Sequence, residues 1–139
     1  MGEYEMAIIW YNEVLVTEPG TIDAHFNKGL AHFFCWKYTE AISDFKWVIE
    51  KNPKGEKAFF YFGASCYNLL MCHDALKNYN KAIIINKENA TYFLERARAY
   101  NTLKQYANAI SDLNETLKLK SQFAEAYLLR GMPCITPAN

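Results

Sequence analysis

Residues 56–89 read EKAFFYFGASCYNLLMCHDALKNYNKAIIINKEN, and the apolar spacing inside them decides the fold class. Phe59, Phe62, Gly63, Cys66, Tyr67 and Leu70 recur at i, i+3, i+4 and i+7, the mark of one apolar stripe along a helix. After a short break, Ala75, Leu76, Tyr79, Ala82 and Ile83 do the same. The stretch therefore predicts two helices joined by a tight turn.

The same unit recurs on both sides, at a constant interval of 34 residues. Ala7, Ala41, Ala75 and Ala109 keep it, as do Gly29, Gly63, Ala97 and Gly131. Ring columns follow the same register: Tyr4, Tyr38 and Tyr106, with Cys72 in the remaining place; Tyr11, Phe45, Tyr79 and Leu113; His25, Phe59, Phe93 and Tyr127. Pro19 and Pro53 sit one interval apart, and Lys87 and Ser121 continue that series without proline. Asn52-Pro53-Lys54-Gly55 and Glu18-Pro19-Gly20 carry turn chemistry, because the residue before proline disfavours helix. Small residues where two helices cross let the backbones approach, and the ring columns fill the space beside them.

This register resembles the tetratricopeptide repeat. The resemblance rests on Gly29/Gly63/Ala97, Ala41/Ala75/Ala109, Tyr38/Tyr106, Phe45/Tyr79 and Pro53, and it covers nearly the whole chain. It implies an all-α, right-handed superhelical solenoid of antiparallel helix pairs with a concave face. Three full repeats are expected at 22–55, 56–89 and 90–123. Residues 1–21 match the second helix of a partial repeat, and 124–132 a partial first helix, giving a repeat domain over 1–132. At the far end Pro133 is expected to stop the helix and leave 133–139 as an irregular tail. Incomplete ends are read as a fragment or splice-truncated product of a longer array. The apolar residues they present, Ile8, Trp10, Tyr11 and Leu15 among them, predict homodimerisation through the terminal helices.

Composition narrows the function classes. Fifteen Lys plus Arg balance fifteen Asp plus Glu in 139 residues, so the basic excess of a nucleic-acid binder is missing. The longest uncharged run, Ala58 to Cys72, is too short for about 30 Å of hydrocarbon, and no membrane partner is expected. MGEYEMAIIW has no positive n-region or cleavage site, and Met6 stands where myristoylation wants Ser or Thr. Cys35, Cys66, Cys72 and Cys134 form no CxxC pair and read as reduced thiols in a cytoplasmic protein.

Chemistry-bearing groups are sparse. His25, His32 and Cys35 share a helix face, but tetrahedral zinc wants four ligands, and the two histidines stand in columns filled elsewhere by Phe59, Phe93, Cys66 and Tyr100. No metal or other cofactor is expected. Cys72 and His73 are neighbours that point about 100° apart on a helix, and no Gly-rich phosphate loop, G-x-S-x-G or H-E-x-x-H occurs. No enzyme is expected. One internal pattern stands out. Lys28 and Arg96 precede the small column, and Asp44 and Asp112 follow sixteen residues later, while the middle repeat has Phe62 and Asn78. Charge on both helices or on neither predicts Lys28–Asp44 and Arg96–Asp112 ion pairs.

The concave groove is the remaining candidate site. The resemblance transfers its inward positions to Asp23, Phe26, Asn27, Leu30, Phe33 and Phe34, then Lys57, Phe60, Tyr61, Ala64, Tyr67 and Asn68, then Thr91, Leu94, Glu95, Arg98, Asn101 and Thr102. Of these, Phe26, Asn27, Leu30, Phe33, Phe34, Phe60, Tyr61, Ala64, Tyr67, Asn68, Leu94 and Arg98 are the expected protein contacts. Some relatives grip chaperone C-terminal tails with a Lys/Asn/Asn/Lys/Arg clamp. Here Phe26, Leu30, Tyr61, Thr91 and Glu95 take those places, and the frame one repeat on, Phe60, Ala64, Glu95, Glu125 and Leu129, also fails, so that partner is disfavoured. The reading is a non-catalytic protein–protein interaction module, a scaffold or adaptor, holding a partner helix or extended peptide in an aromatic-rich groove. Its alternative is a structural or self-associating segment of a longer array. In residues 32–38, HFFCWKY, His32 fills a core column, Phe33 and Phe34 lean toward the groove, Cys35-Trp36-Lys37 form the turn, and Tyr38 opens the next column.

Overall fold

A computed structural model describes the backbone of residues 2–135 and the side chains of residues 2–131. The described chain is helical throughout: α1 Glu3–Thr17, α2 Ile22–Phe34, α3 Tyr38–Lys51, α4 Glu56–Asn68, α5 Cys72–Ile85, α6 Ala90–Thr102, α7 Tyr106–Leu119 and α8 Ala124–Ile135. Consecutive helices pack on one another as antiparallel pairs and build a right-handed solenoid, with α2, α4 and α6 lining its inner side. Among the described residues, no helix is long and apolar enough to cross a membrane.

Local chemistry sets the helix ends. Pro19 and Pro53 stand two residues beyond α1 and α3, where a fixed φ and a missing N–H prevent continuation. Asn89 caps α6 by accepting the Thr91 N–H at 3.0 Å. The three inner helices close alike. Lys37 N donates to His32 O at 2.8 Å and Trp36 N to Phe33 O at 3.0 Å; Met71/Cys66 with Leu70/Tyr67, and Gln105/Tyr100 with Lys104/Asn101, repeat the pair. Two such bonds around a left-handed residue make the Schellman closure. The left-handed places fall on Trp36, Leu70 and Lys104, with φ between 61 and 64°, where glycine would be less strained.

Packing explains the columns. A Cβ on Gly29 would lie 2.7 Å from Phe45, and one on Gly63 would lie 2.8 Å from Tyr79. In the third repeat Leu113 replaces the ring, and Ala97 fits with no exposure. Phe59, Phe60, Cys66, Tyr79, Ile83, Tyr92 and Phe93 form the central core, and Leu94, Ala97, Ala109, Leu113, Leu117 and Ala126 continue it toward α8.

Both expected ion pairs form. Lys28 Nζ lies 3.6 Å from Asp44 Oδ1, and Arg96 grips Asp112 with two short hydrogen bonds. His32 joins the first pair, its Nδ1 donating to Asp44 Oδ2 at 2.6 Å, since a carboxylate only accepts. One boundary is corrected. α8 continues through Pro133 to Ile135 instead of stopping at residue 132. A proline in the last turn removes one backbone hydrogen bond, which a helix can lose without stopping there. The rest of the expected tail, residues 136–139, lies outside the described residues.

Candidate functional site

The inward stripes of α2 and α4 meet at Tyr61. Its ring lies 5.4 Å from Phe33, 6.4 Å from both Phe26 and Phe34, 6.1 Å from Phe45 and 5.1 Å from Phe60. Most of these contacts are edge-to-face, the arrangement that ring quadrupoles favour. Phe26, Asn27, Leu30, Phe33 and Tyr61 are half-buried, while Phe34 remains 45% exposed beside them. Tyr4 of α1 stacks on Phe34 at 5.3 Å and extends the aromatic wall toward the N-terminus.

Below this wall opens a cleft of about 300 Å³, lined by Phe26, Leu30, Lys57, Phe60, Tyr61, Asn89, Thr91 and Tyr92. Its floor is the Phe60–Tyr92 stack at 4.8 Å. Burial, then the nearby Glu56 carboxylate, pushes the Tyr92 hydroxyl above its ordinary pKa, so it stays protonated. The cleft thus pairs apolar rings with a few polar groups at its edge, the usual make-up of a recognition site.

The C-terminal half of the inner face is polar and largely bonded internally, although the buried Asn101 side-chain amide has no partner among the described residues. Arg98 Nε donates to Glu95 Oε1 at 3.0 Å, and Arg98 Nη2 donates to Glu125 of α8. Burial raises the Glu95 pKa, with Arg98 opposing it. Tyr67 OH donates to Thr102 Oγ1 at 3.1 Å, and Thr102 passes its own hydrogen to Arg98 O. Asn68 is exposed and bonds Ala64 O at 2.8 Å.

Three expected contacts are core residues. Leu94 and Ala64 are buried at 2% and 8% exposure, and Phe60, at 9%, offers only an edge to the cleft. For Phe60 the cause is α6, whose Tyr92 covers its face. Tyr92 itself escaped the sequence reading, although a signal existed. It is a ring in a column otherwise held by Ala24, Ala58 and Ala126. The histidines do not converge. His25 stacks on Trp47 at 3.7 Å and donates Nε2 to Pro19 O, whereas His32 faces Asp44.

A family model described as Tetratricopeptide repeat matches residues 90–123. The chain is similar to small glutamine-rich tetratricopeptide repeat-containing protein 2 of Saccharomyces cerevisiae, 26% identical over 129 residues, which are 93% of this chain and 37% of that protein. It spans well under half the length of the curated relatives it matches. Its fold is similar to the crystal structure of MamA, with a TM-score of 0.91 at 20% identity over 95% of this chain and 77% of that one. It is also similar to the first TPR of Spaghetti (RPAP3) bound to the HSP90 peptide SRMEEVD, with a TM-score of 0.82 at 20% identity over 85% of this chain and 94% of that one.

Proposed function

From its membership of the tetratricopeptide-repeat proteins, we propose that this chain is a non-catalytic protein-interaction module that holds a partner segment on its concave aromatic face. The observation that carries the reading is Phe34, 45% exposed next to the half-buried Tyr61 hub and the cleft below it. Rings already held by neighbours lose little entropy on binding, and buried aromatics dominate interface energies. The contact set is Phe26, Asn27, Leu30, Phe33, Phe34 and Tyr61, with Tyr4 and Tyr92 added and with Ala64 and Leu94 supporting from the core. Lys57 at the cleft edge offers one counter-charge for an acidic residue of the partner.

A carboxylate-ended tail of the kind bound by the RPAP3 domain fits less well. Arg98, one of the inward cations, is held by Glu95 and Glu125, and by the repeat register Phe26, Leu30 and Tyr61 take places where a polar clamp would need basic or amide groups. The partner is therefore a helix or extended segment with large apolar anchors. The test is selection of peptides from a displayed library, then binding measured with Phe34→Ala and Tyr61→Ala. Loss of about tenfold or more in each variant supports the site, and unchanged affinity sinks it.

A second reading has its own observation. α1 buries no residue completely and leaves Ile9, Trp10 and Val16 exposed, and α8 leaves Tyr127 and Leu128 exposed. Such faces suit self-association. Light scattering at micromolar concentration separates the two: a monomer favours the groove, an obligate dimer favours assembly.

A further inference from the structure

A second groove lies on the opposite side of α4 from Tyr61. Phe62, Ile42 and Ile49 form its apolar floor over the buried Phe59 and Cys66. Lys46, Lys77 and Lys81 border it, and it encloses about 590 Å³. The next repeat explains why it is open. There Arg96 replaces Phe62, Tyr100 replaces Cys66 and Asn80 replaces Lys46. Arg96 donates to Asn80 Oδ1 at 2.9 Å and lies over the Phe93 and Tyr100 rings at 5.5 and 5.7 Å. Arg130 repeats the bond, to Asn114 Oδ1 at 3.1 Å. Those junctions are closed by their own side chains.

Between α3 and α5 the closure is absent. Lys46 lies over Phe62 at 5.9 Å where an arginine–asparagine bond would be, and Cys66 is fully buried beneath the groove. Lys81 lies over Phe59 at 5.4 Å. None of the three lysines makes an ion pair among the described residues. Glu50 and Asp74 also border the groove, so three cations face two carboxylates over an apolar floor.

We propose that this groove docks an acidic segment of a partner protein, one of whose apolar side chains lies on the half-buried Phe62, Ile42 and Ile49. Flanking carboxylates of the segment pair with Lys46, Lys77 and Lys81. Ammonium groups now held over ring faces gain an anionic partner while keeping the aromatic contact. The site is independent of the concave face, because it uses the other stripe of α4.

The probe is an acetylated, amidated synthetic peptide of about ten residues, with two phenylalanines among glutamates, and the control replaces every glutamate with lysine. Amide NMR shifts are expected around Cys66 and Lys77 and not around Phe34 and Tyr61. In fluorescence anisotropy, Lys77→Glu/Lys81→Glu should weaken binding about tenfold or more, and Phe62→Ala should weaken it by removing the apolar floor. Tyr61→Ala should bind as wild type does. If Phe62→Ala fails to fold, the charge variant, checked by circular dichroism, decides. Equal binding of the lysine peptide, shifts on the concave face, absence of binding, or a folded charge variant with wild-type affinity would overturn the proposal.

Discussion

Arg96 holds Asp112 through two parallel hydrogen bonds, Nε to Oδ2 at 2.7 Å and Nη2 to Oδ1 at 2.6 Å. Burial works against the guanidinium charge, and Asp112 more than offsets it, holding the Arg96 pKa above its ordinary value. Removing one partner leaves the other desolvated. Asp112 is 5% exposed, so Arg96→Ala should cost about 2–3 kcal/mol, somewhat below the range for fully buried pairs. The double change with Asp112→Ala should cost at least about 1 kcal/mol less than the sum of the singles. Urea unfolding of the four proteins measures this, and strict additivity would refute the coupling.

The small column predicts opposite signs for one substitution at two places. A Cβ on Gly63 would lie 2.8 Å from the Tyr79 ring and 3.1 Å from Ala75 O. Gly63→Ala should therefore destabilise by about 1–3 kcal/mol, the usual effect of overpacking. Among the described residues, a Cβ on Gly131 meets nothing within 4 Å, inside α8. Gly131→Ala should stabilise by about 0.5–1 kcal/mol through helix propensity alone. Thermal melts of both variants check the pair.

Why the solenoid was legible, and parts of its face were not, follows from how each is specified. A repeat writes its packing contacts several times, so Gly29, Gly63 and Ala97 answer Phe45, Tyr79 and Leu113 in one register. The Arg96–Asp112 pair was readable for the same reason, since charge is present or absent on both helices together. His32 was read as core, which its burial supports, but its bond to Asp44 was missed because an aromatic column conceals a polar tip. Groove positions carried by register alone ignore what the next helix covers. Phe60 meets Tyr92, a ring that breaks an alanine column, and no other repeat has that contact. The Arg98–Glu95–Glu125 network was equally hidden, because it joins residues from two repeats that are neighbours only after stacking.

The strained turns predict gains from losing a side chain. Leu70 has φ 64° and is 83% exposed, so its side chain packs little and its backbone carries the left-handed cost. That cost is about 1–2 kcal/mol, and glycine's greater freedom in the unfolded chain returns part of it. Leu70→Gly should raise stability by about 0.5–1 kcal/mol, and Trp36→Gly, at φ 64° and 80% exposure, should behave alike. A lower melting temperature in both would mean that these side chains make contacts the turn geometry does not reveal.

Cys66 supplies the pH prediction. Burial pushes its thiol from 9.0 to about 11, with the Asp74 charge adding to the rise and Lys46 opposing it. A folded pKa above the unfolded one gives stability that is complete below about 9 and lost as pH rises through about 11. At pH 10 the unfolded chain has released this proton and the folded chain has kept it. Wild type should therefore lose about 1.4 kcal/mol more than Cys66→Ala between pH 8 and pH 10, one pKa unit's worth, while the other titrating groups cancel in the difference. The same burial should make Cys66 slower toward iodoacetamide at pH 8 than the half-buried Cys35. Parallel stability curves for the two proteins would show that the thiol is wetter than its burial implies.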